Sequence, residues 1–191
     1  RYMSETENQL QILLCELAAY LHNKDMEINV WDQIIAFEGR MHEFIKAAYD
    51  YQDNTFHSHP GYYIDYFEMR LAQLQVLHNL HYEIKKIRKM PKQALVIADY
   101  IMYMADYVVE MNIPDQQIEK LEEISEQMKQ EELPKTREEF EGRALLYHIL
   151  MDLEEFLVYK KRFVNGLDEK KLRIYWKQEM EQKDSANELQ K

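Results

Sequence analysis

Arg70 and Arg143 each sit beside an apolar helical stripe. Arg70 lies between Phe67, Leu71 and Leu74, and Arg143 lies one turn after Phe140 and one before Leu146. A guanidinium in such a setting needs acceptors, and two kinds of chemistry supply them. The plainer one is pairing between helices that fixes the register of a bundle, with Glu16, Glu38 or Asp99 as acidic partners. The sharper one is a clamp on a ligand's carboxylate, which a guanidinium holds through two parallel hydrogen bonds. Tyrosine is abundant, at 14 residues, and Tyr62, Tyr63, Tyr66, Tyr100, Tyr103 and Tyr107 cluster on two segments. A tyrosine at a helix edge buries its ring and keeps its hydroxyl wet. The alternative is a pocket whose rings stack on an aromatic ligand. The candidate ligand-binding set is therefore Arg70, Arg143, Tyr63, Tyr66 and Tyr103.

Histidine offers a third chemistry. The chain carries His57-Ser58-His59, His78 with His81, His42 and His148. Carboxylate-bridged metal bundles place Glu-x-x-His on facing helices, because an i, i+3 pair aims both ligands inward. That motif is absent, as is His-Glu-x-x-His. No serine–histidine–aspartate order, phosphate loop or nucleotide fingerprint appears either. No catalytic residue, metal site or cofactor is expected on this reading. Asp99, Asp106 and Glu110 fall on one stripe and read as a solvated edge, with a crevice lining or partners for the two arginines as the alternative. Lys85, Lys86, Arg88, Lys89 and Lys92, and the trio Lys160-Lys161-Arg162, read as compensation of helix dipoles. A touch on anionic lipid is the alternative for one of these clusters.

The elements that hold these residues are helices, because a 3.6-residue apolar period runs through the chain. Ser4-Glu5-Thr6-Glu7 has the form of a capping box for a first helix reaching about Asn23. Asp25 is the candidate cap of a second, and Asp50 to Gly61 reads as a loop. A third begins near Tyr62 and ends before Pro91. The fourth, about Lys92 to Met111, is apolar nearly all round and is expected to lie buried in the middle of a bundle. A charged helix follows over about Asp115 to Glu131. A long one, headed by the second capping box Thr136-Arg137-Glu138-Glu139, runs to about Val164 with Phe140 facing inward. Asn165-Gly166 is a stop, and Asp168 caps a last helix carrying Leu172, Tyr175 and Trp176. The expected fold is all-α: an up-and-down antiparallel helical bundle with long helices, about six to seven helical segments. Residues 1–183 form one domain and residues 184–191 a frayed polar tail.

Composition narrows the function classes. The chain has 191 residues, with four glycines and four prolines, too few for a sandwich, a barrel or a glycine-rich nucleotide fold. Its 35 acidic and 24 basic residues give a net charge of −11, which opposes binding to nucleic acid. Cys15, the one cysteine, cannot form an internal disulfide and reads as a buried small hydrophobe in a reducing compartment. No stretch approaches the roughly 20 apolar residues that span a bilayer. The chain opens Arg1-Tyr2-Met3, which fits either a trimmed start or a piece of something longer.

Two stretches carry a family likeness. One is Gly61-Tyr62-Tyr63-Ile64-Asp65-Tyr66-Phe67-Glu68-Met69-Arg70-Leu71-Ala72-Gln73-Leu74. The other is Leu133-Pro134-Lys135-Thr136-Arg137-Glu138-Glu139-Phe140-Glu141-Gly142-Arg143-Ala144-Leu145-Leu146-Tyr147. With the order of helices, they resemble the C-terminal domain of the putative aromatic acid exporter family, membrane proteins of Gram-positive bacteria. The resemblance spans Ser4 to about Lys183. It implies a non-catalytic accessory or regulatory domain of a membrane transporter, at the cytoplasmic face of the cell membrane. Its partner would be an upstream transmembrane region of the same polypeptide, and its role ligand sensing or assembly. An aromatic carboxylate is the implied ligand and a homo-oligomer a further expected partner state; nucleic acid is not a partner. A freestanding helical interaction module and a metal-binding helical bundle are the alternatives.

Overall fold

The protein's structure, a computed structural model, describes residues 1–23, 29–54, 60–167 and 176. Among the described residues six helices follow in chain order: α1 (Tyr2–His22), α2 (Val30–Asn54), α3 (Pro60–Lys86), α4 (Ala94–Ala105), α5 (Asp115–Lys129) and α6 (Arg137–Asn165). There is no strand among the described residues, and the all-α expectation holds. The expected last helix and polar tail, like the Asp25 cap, lie outside the described residues, apart from the helical Trp176.

Cross-helix pairs fix the directions. Tyr2 stacks on Phe44 while Gln33 donates to Glu16, so α1 and α2 run antiparallel. Tyr49 meets Glu68 and Trp31 meets His78, so α2 and α3 do the same. Tyr66 packs on Phe163 while His148 pairs with Glu83, which sets α6 antiparallel to α3. Gln11 reaches the Val108 carbonyl and His22 reaches Asp99, placing α4 antiparallel to α1. The most extensive packing is α3 on α6, α1 on α4 and α2 on α3. Leu10, Leu13, Leu14, Leu17 and Leu21 of α1 are all essentially buried at helical spacing, so one apolar face of the helix meets the core.

Several local expectations change. Arg1, not Ser4, precedes the first turn, so Ser4 lies inside α1 and no capping box forms there. Asp50–Asn54, expected as loop, continues α2, because nothing before Pro60 breaks a helix that is already packed on α3. α4 is not buried in the middle. It packs chiefly on α1, so only one face is covered and Leu95, Val96 and Met102 are exposed. It also ends at Ala105, several residues early, and a chain of turns carries Asp106 to Pro114. Phe140, expected inward, is exposed. The second capping box forms. Thr136 accepts from the Glu139 amide at 3.1 Å, and the Glu139 carboxylate reaches back to the Lys135 amide, also at 3.1 Å.

Candidate functional site

The polar residues of α3 gather on one face. Tyr62, Tyr66, Arg70 and Gln73 repeat at three- and four-residue intervals and are all essentially buried. Arg70 is 1% exposed, and its donors are distributed among side chains of the protein itself. Nε donates to the Tyr66 hydroxyl at 3.1 Å and Nη1 to Gln73 Oε1 at 2.9 Å. Nη2 faces Glu7 Oε1 of α1 at 3.6 Å without a hydrogen bond. The Tyr66 hydroxyl in turn donates to Glu7 at 2.9 Å, and Gln73 donates to the Phe156 carbonyl of α6 at 2.8 Å. One guanidinium thus ties α1, α3 and α6.

A second cation extends the network. Lys160, on the apolar face of α6, is 4% exposed and donates to the carbonyls of Val109 and Glu110 at 2.7 and 2.6 Å. Both carbonyls lie past the end of α4, where, among the described residues, Val109 accepts otherwise only from the Asn112 amide at 3.4 Å, so the early stop of α4 and the burial of Lys160 go together. The Glu110 carboxylate accepts from the Tyr62 hydroxyl at 2.6 Å, and Tyr62 accepts from Trp176 Nε1 at 3.3 Å. Burial, then the charge of Arg70, push the Lys160 ammonium down to about 6, against the pull of Glu7 and Glu110. Burial raises the Glu110 carboxyl above its usual range although the Tyr62 hydroxyl favours the anion. Burial also lifts the Tyr62 and Tyr66 phenols. Two basic side chains, Arg70 and Lys160, and two acidic ones, Glu7 and Glu110, therefore meet in a largely buried region, where Lys160 and Glu110 are each shifted by the other three.

The five candidate residues occupy four places. Arg70 and Tyr66 meet in the network. Tyr63 lines a cleft of about 380 Å³ with Tyr2, Phe44, Tyr51, Phe67 and Arg1, whose walls are mainly aromatic. Arg143 sits near the start of α6, donates to the Glu132 carbonyl at 2.6 Å and lies 3.8 Å from Glu139. It is 13 residues from Phe156 along α6, or about 20 Å of helix. Tyr103 packs between Tyr100 and Tyr107 in tilted and edge-on contacts, with the Lys120 ammonium 4.0 Å from its ring centroid. The expected acidic partners go elsewhere: Glu16 to Gln33, Glu38 to His78 and Asp99 to His22.

Glu7, Gln73, Lys160 and Glu110 complete the network; the sequence offered Glu110 only as an alternative partner for the arginines, and the other three were not singled out as members. Lys160 was the legible one, because it interrupts the stripe Leu153, Phe156, Leu157, Phe163 that its neighbours Lys161 and Arg162 do not share. Glu7 was masked by its place in an apparent capping box. Among the histidines, His57 and His59 lie outside the described residues. His78 and His81 pack against Trp31, and burial, then Lys85, then His78 push the His81 imidazole down. One group of possible metal donors stands out among the described residues, Glu83 with His148 and Asp152. Cys15 is half-buried, and burial, then Asp106, then Glu16 push its thiol up, away from nucleophilic use.

Two similarities to known proteins bear on this arrangement. The chain is 26% identical over 167 residues to "Uncharacterized protein YqjA" of Bacillus subtilis (strain 168), covering 85% of this chain and 50% of that protein. The chain thus spans about half the length of the curated relative it matches. Its fold matches a solved structure titled "Crystal structure of putative membrane protein from Clostridium difficile 630", with a TM-score of 0.74 and 24% identity over 84% of this chain and 95% of that one. No helix among the described residues is long and apolar enough to cross a membrane. The sequence profile described as "Putative aromatic acid exporter C-terminal domain" matches residues 1–161, and the chain belongs to that family.

Proposed function

We propose that this chain is a non-catalytic accessory domain of a membrane transporter, held at the cytoplasmic face by a transmembrane region of the same polypeptide. The observation that carries this reading is the family match over residues 1–161, together with the half of YqjA that lies beyond the matching region. The family description names a transporter and no reaction. Within the domain, Arg70 and Tyr66 set helix register, because their polar atoms are engaged with Glu7 and Gln73. Arg143 closes the loop between α5 and α6 through the Glu132 carbonyl. Tyr63 and Arg143 both line openings, of about 380 and 550 Å³, but the walls beside Tyr63 are the aromatic ones, so ligand sensing is assigned to that cleft. An aromatic carboxylate suits it, with its ring against Tyr63 and Phe67 and its charge toward Arg1.

Thermal-shift titration with simple aromatic carboxylates at millimolar concentration tests the sensing role. A rise in Tm that Tyr63→Ala abolishes and Arg143→Ala leaves intact supports it. No shift with any of them leaves assembly as the role. Cysteine labelling of the full-length parent in oriented vesicles, with the label site placed in this domain, tests the cytoplasmic placement. Labelling from the outer face would overturn it.

A further inference from the structure

Glu83 lies in the last turn of α3, and His148 and Asp152 lie one turn apart on α6, on the face that packs against it. His148 Nδ1 is 2.5 Å from Glu83 Oε1 and 3.7 Å from Asp152 Oδ2. One donor atom from each of the three falls within 4.8 Å of the others. Two observations make this more than an exposed ion pair. Asp152 is 93% buried, since 7% of it is exposed, and its Oδ2 atom has no hydrogen-bond donor. The Glu83 Oε2 atom is likewise buried and without a donor. A buried carboxylate oxygen with no partner is costly, and the electrostatics register the cost. Burial, then Glu83, push the Asp152 carboxyl up to about 7, while the Glu83 carboxylate and Asp152 pull the His148 imidazole up. Among the described residues, no lysine or arginine pairs with either carboxylate, and His148 is the one partner that can carry positive charge. His148 is half exposed and leaves the cluster open to solvent on one side.

We propose that Glu83, His148 and Asp152 form a binding site for one divalent transition-metal ion that joins α3 to α6. Two carboxylates and an imidazole are a borderline donor set, suited to Zn²⁺ or Mn²⁺ and poorly suited to Ca²⁺, which takes six to eight oxygens. Ligand–metal bonds of about 2.0–2.2 Å put neighbouring ligand atoms about 3 Å apart, between the two separations that His148 now makes. Small side-chain rotations therefore suffice, and both helices stay in place. The ion supplies two positive charges where two carboxylates have none of their own, and the unpaired Asp152 and Glu83 oxygens gain a partner. Water fills the remaining positions from the His148 side. The pattern is not visible as a linear motif, because Glu83 joins the His148–Asp152 pair only through the antiparallel register of α3 and α6.

The test uses untagged protein stripped with a chelator, titrated with Zn²⁺ and then Mn²⁺ by calorimetry at pH 7.5, with Tm followed in parallel. The expected result is one ion per chain and a rise in Tm of several degrees. His148→Gln and Asp152→Asn should each weaken binding by at least about tenfold. His148 is exposed enough that its replacement leaves the core intact, so His148→Gln decides the matter if Asp152→Asn fails to fold. Absence of binding by the wild type overturns the site. Wild-type affinity in either folded variant does too, since the ion would then be held elsewhere.

Discussion

Arg70 and Arg143 show how one residue type takes two weights. Arg70 is enclosed, and its removal leaves Glu7 and the Tyr66 hydroxyl facing a void with a charge to neutralise. Arg70→Ala should cost about 3–5 kcal/mol, the range for breaking one side of a buried ion pair. Arg143 gives up one carbonyl bond and a loose pairing with the half-exposed Glu139, so Arg143→Ala should cost about 1–2 kcal/mol. Urea denaturation of the two variants checks the order, and an equal or larger loss at Arg143 would contradict it. That arginines lay against apolar stripes was legible from their neighbours. Their partners were not, because Glu7 is 63 residues from Arg70 and its local sequence imitates a helix start. The cluster of Glu83 with His148 and Asp152 was hidden for a related reason. Its i, i+4 half is written in α6, while its third member depends on how two helices register.

At the scale of elements, α6 shows local and non-local control side by side. Thr136 caps it as its own sequence dictates, and Thr136→Ala should lower stability by about 1 kcal/mol. Nearly two turns on, Gly142 lies where a Cβ would meet the Pro91 ring at 3.1 Å and the Lys89 carbonyl at 3.2 Å. The segment between α3 and α4 therefore crosses α6 at a point where a side chain would be crowded. Gly142→Leu should cost about 2 kcal/mol in the same denaturation assay, since it overpacks a contact with backbone. A leucine tolerated without loss would mean that this crossing is loose. The caps and stripes of α5 and α6 were legible because they are local. The end of α4 was not, because the carbonyls of Val109 and Glu110 meet Lys160, 51 and 50 residues further along the chain, and no local pattern discloses that contact. The length of α2 was misjudged because polar composition alone does not end a helix that still has α3 to pack on.

For the molecule as a whole, the interior charges set a pH dependence that the net charge of −11 does not disclose. Lys160 titrates near 6 when folded and at roughly 10.4 when unfolded. Between those values the unfolded chain binds the extra proton, so this residue's contribution is present at high pH and is lost as pH falls through about 6. The wild type should gain stability relative to Lys160→Met as pH is raised from 6 to 9, measured by urea midpoints at each pH. A constant difference across that range would mean that Lys160 keeps its proton throughout.

α1 places Glu7 opposite Tyr66 and Arg70 while its leucines fill the core and its length lies along α4. Helical geometry makes such a seat all-or-none: sliding α1 by a single residue turns Glu7 through about 100° and moves it about 1.5 Å along the axis. The buried guanidinium would then keep Tyr66 and Gln73 on its own helix but lose its carboxylate. Small displacements of α1 are therefore penalised steeply. A pull applied to that helix is passed to α3 and α6 as displacement of the whole body, with little absorbed as strain between helices.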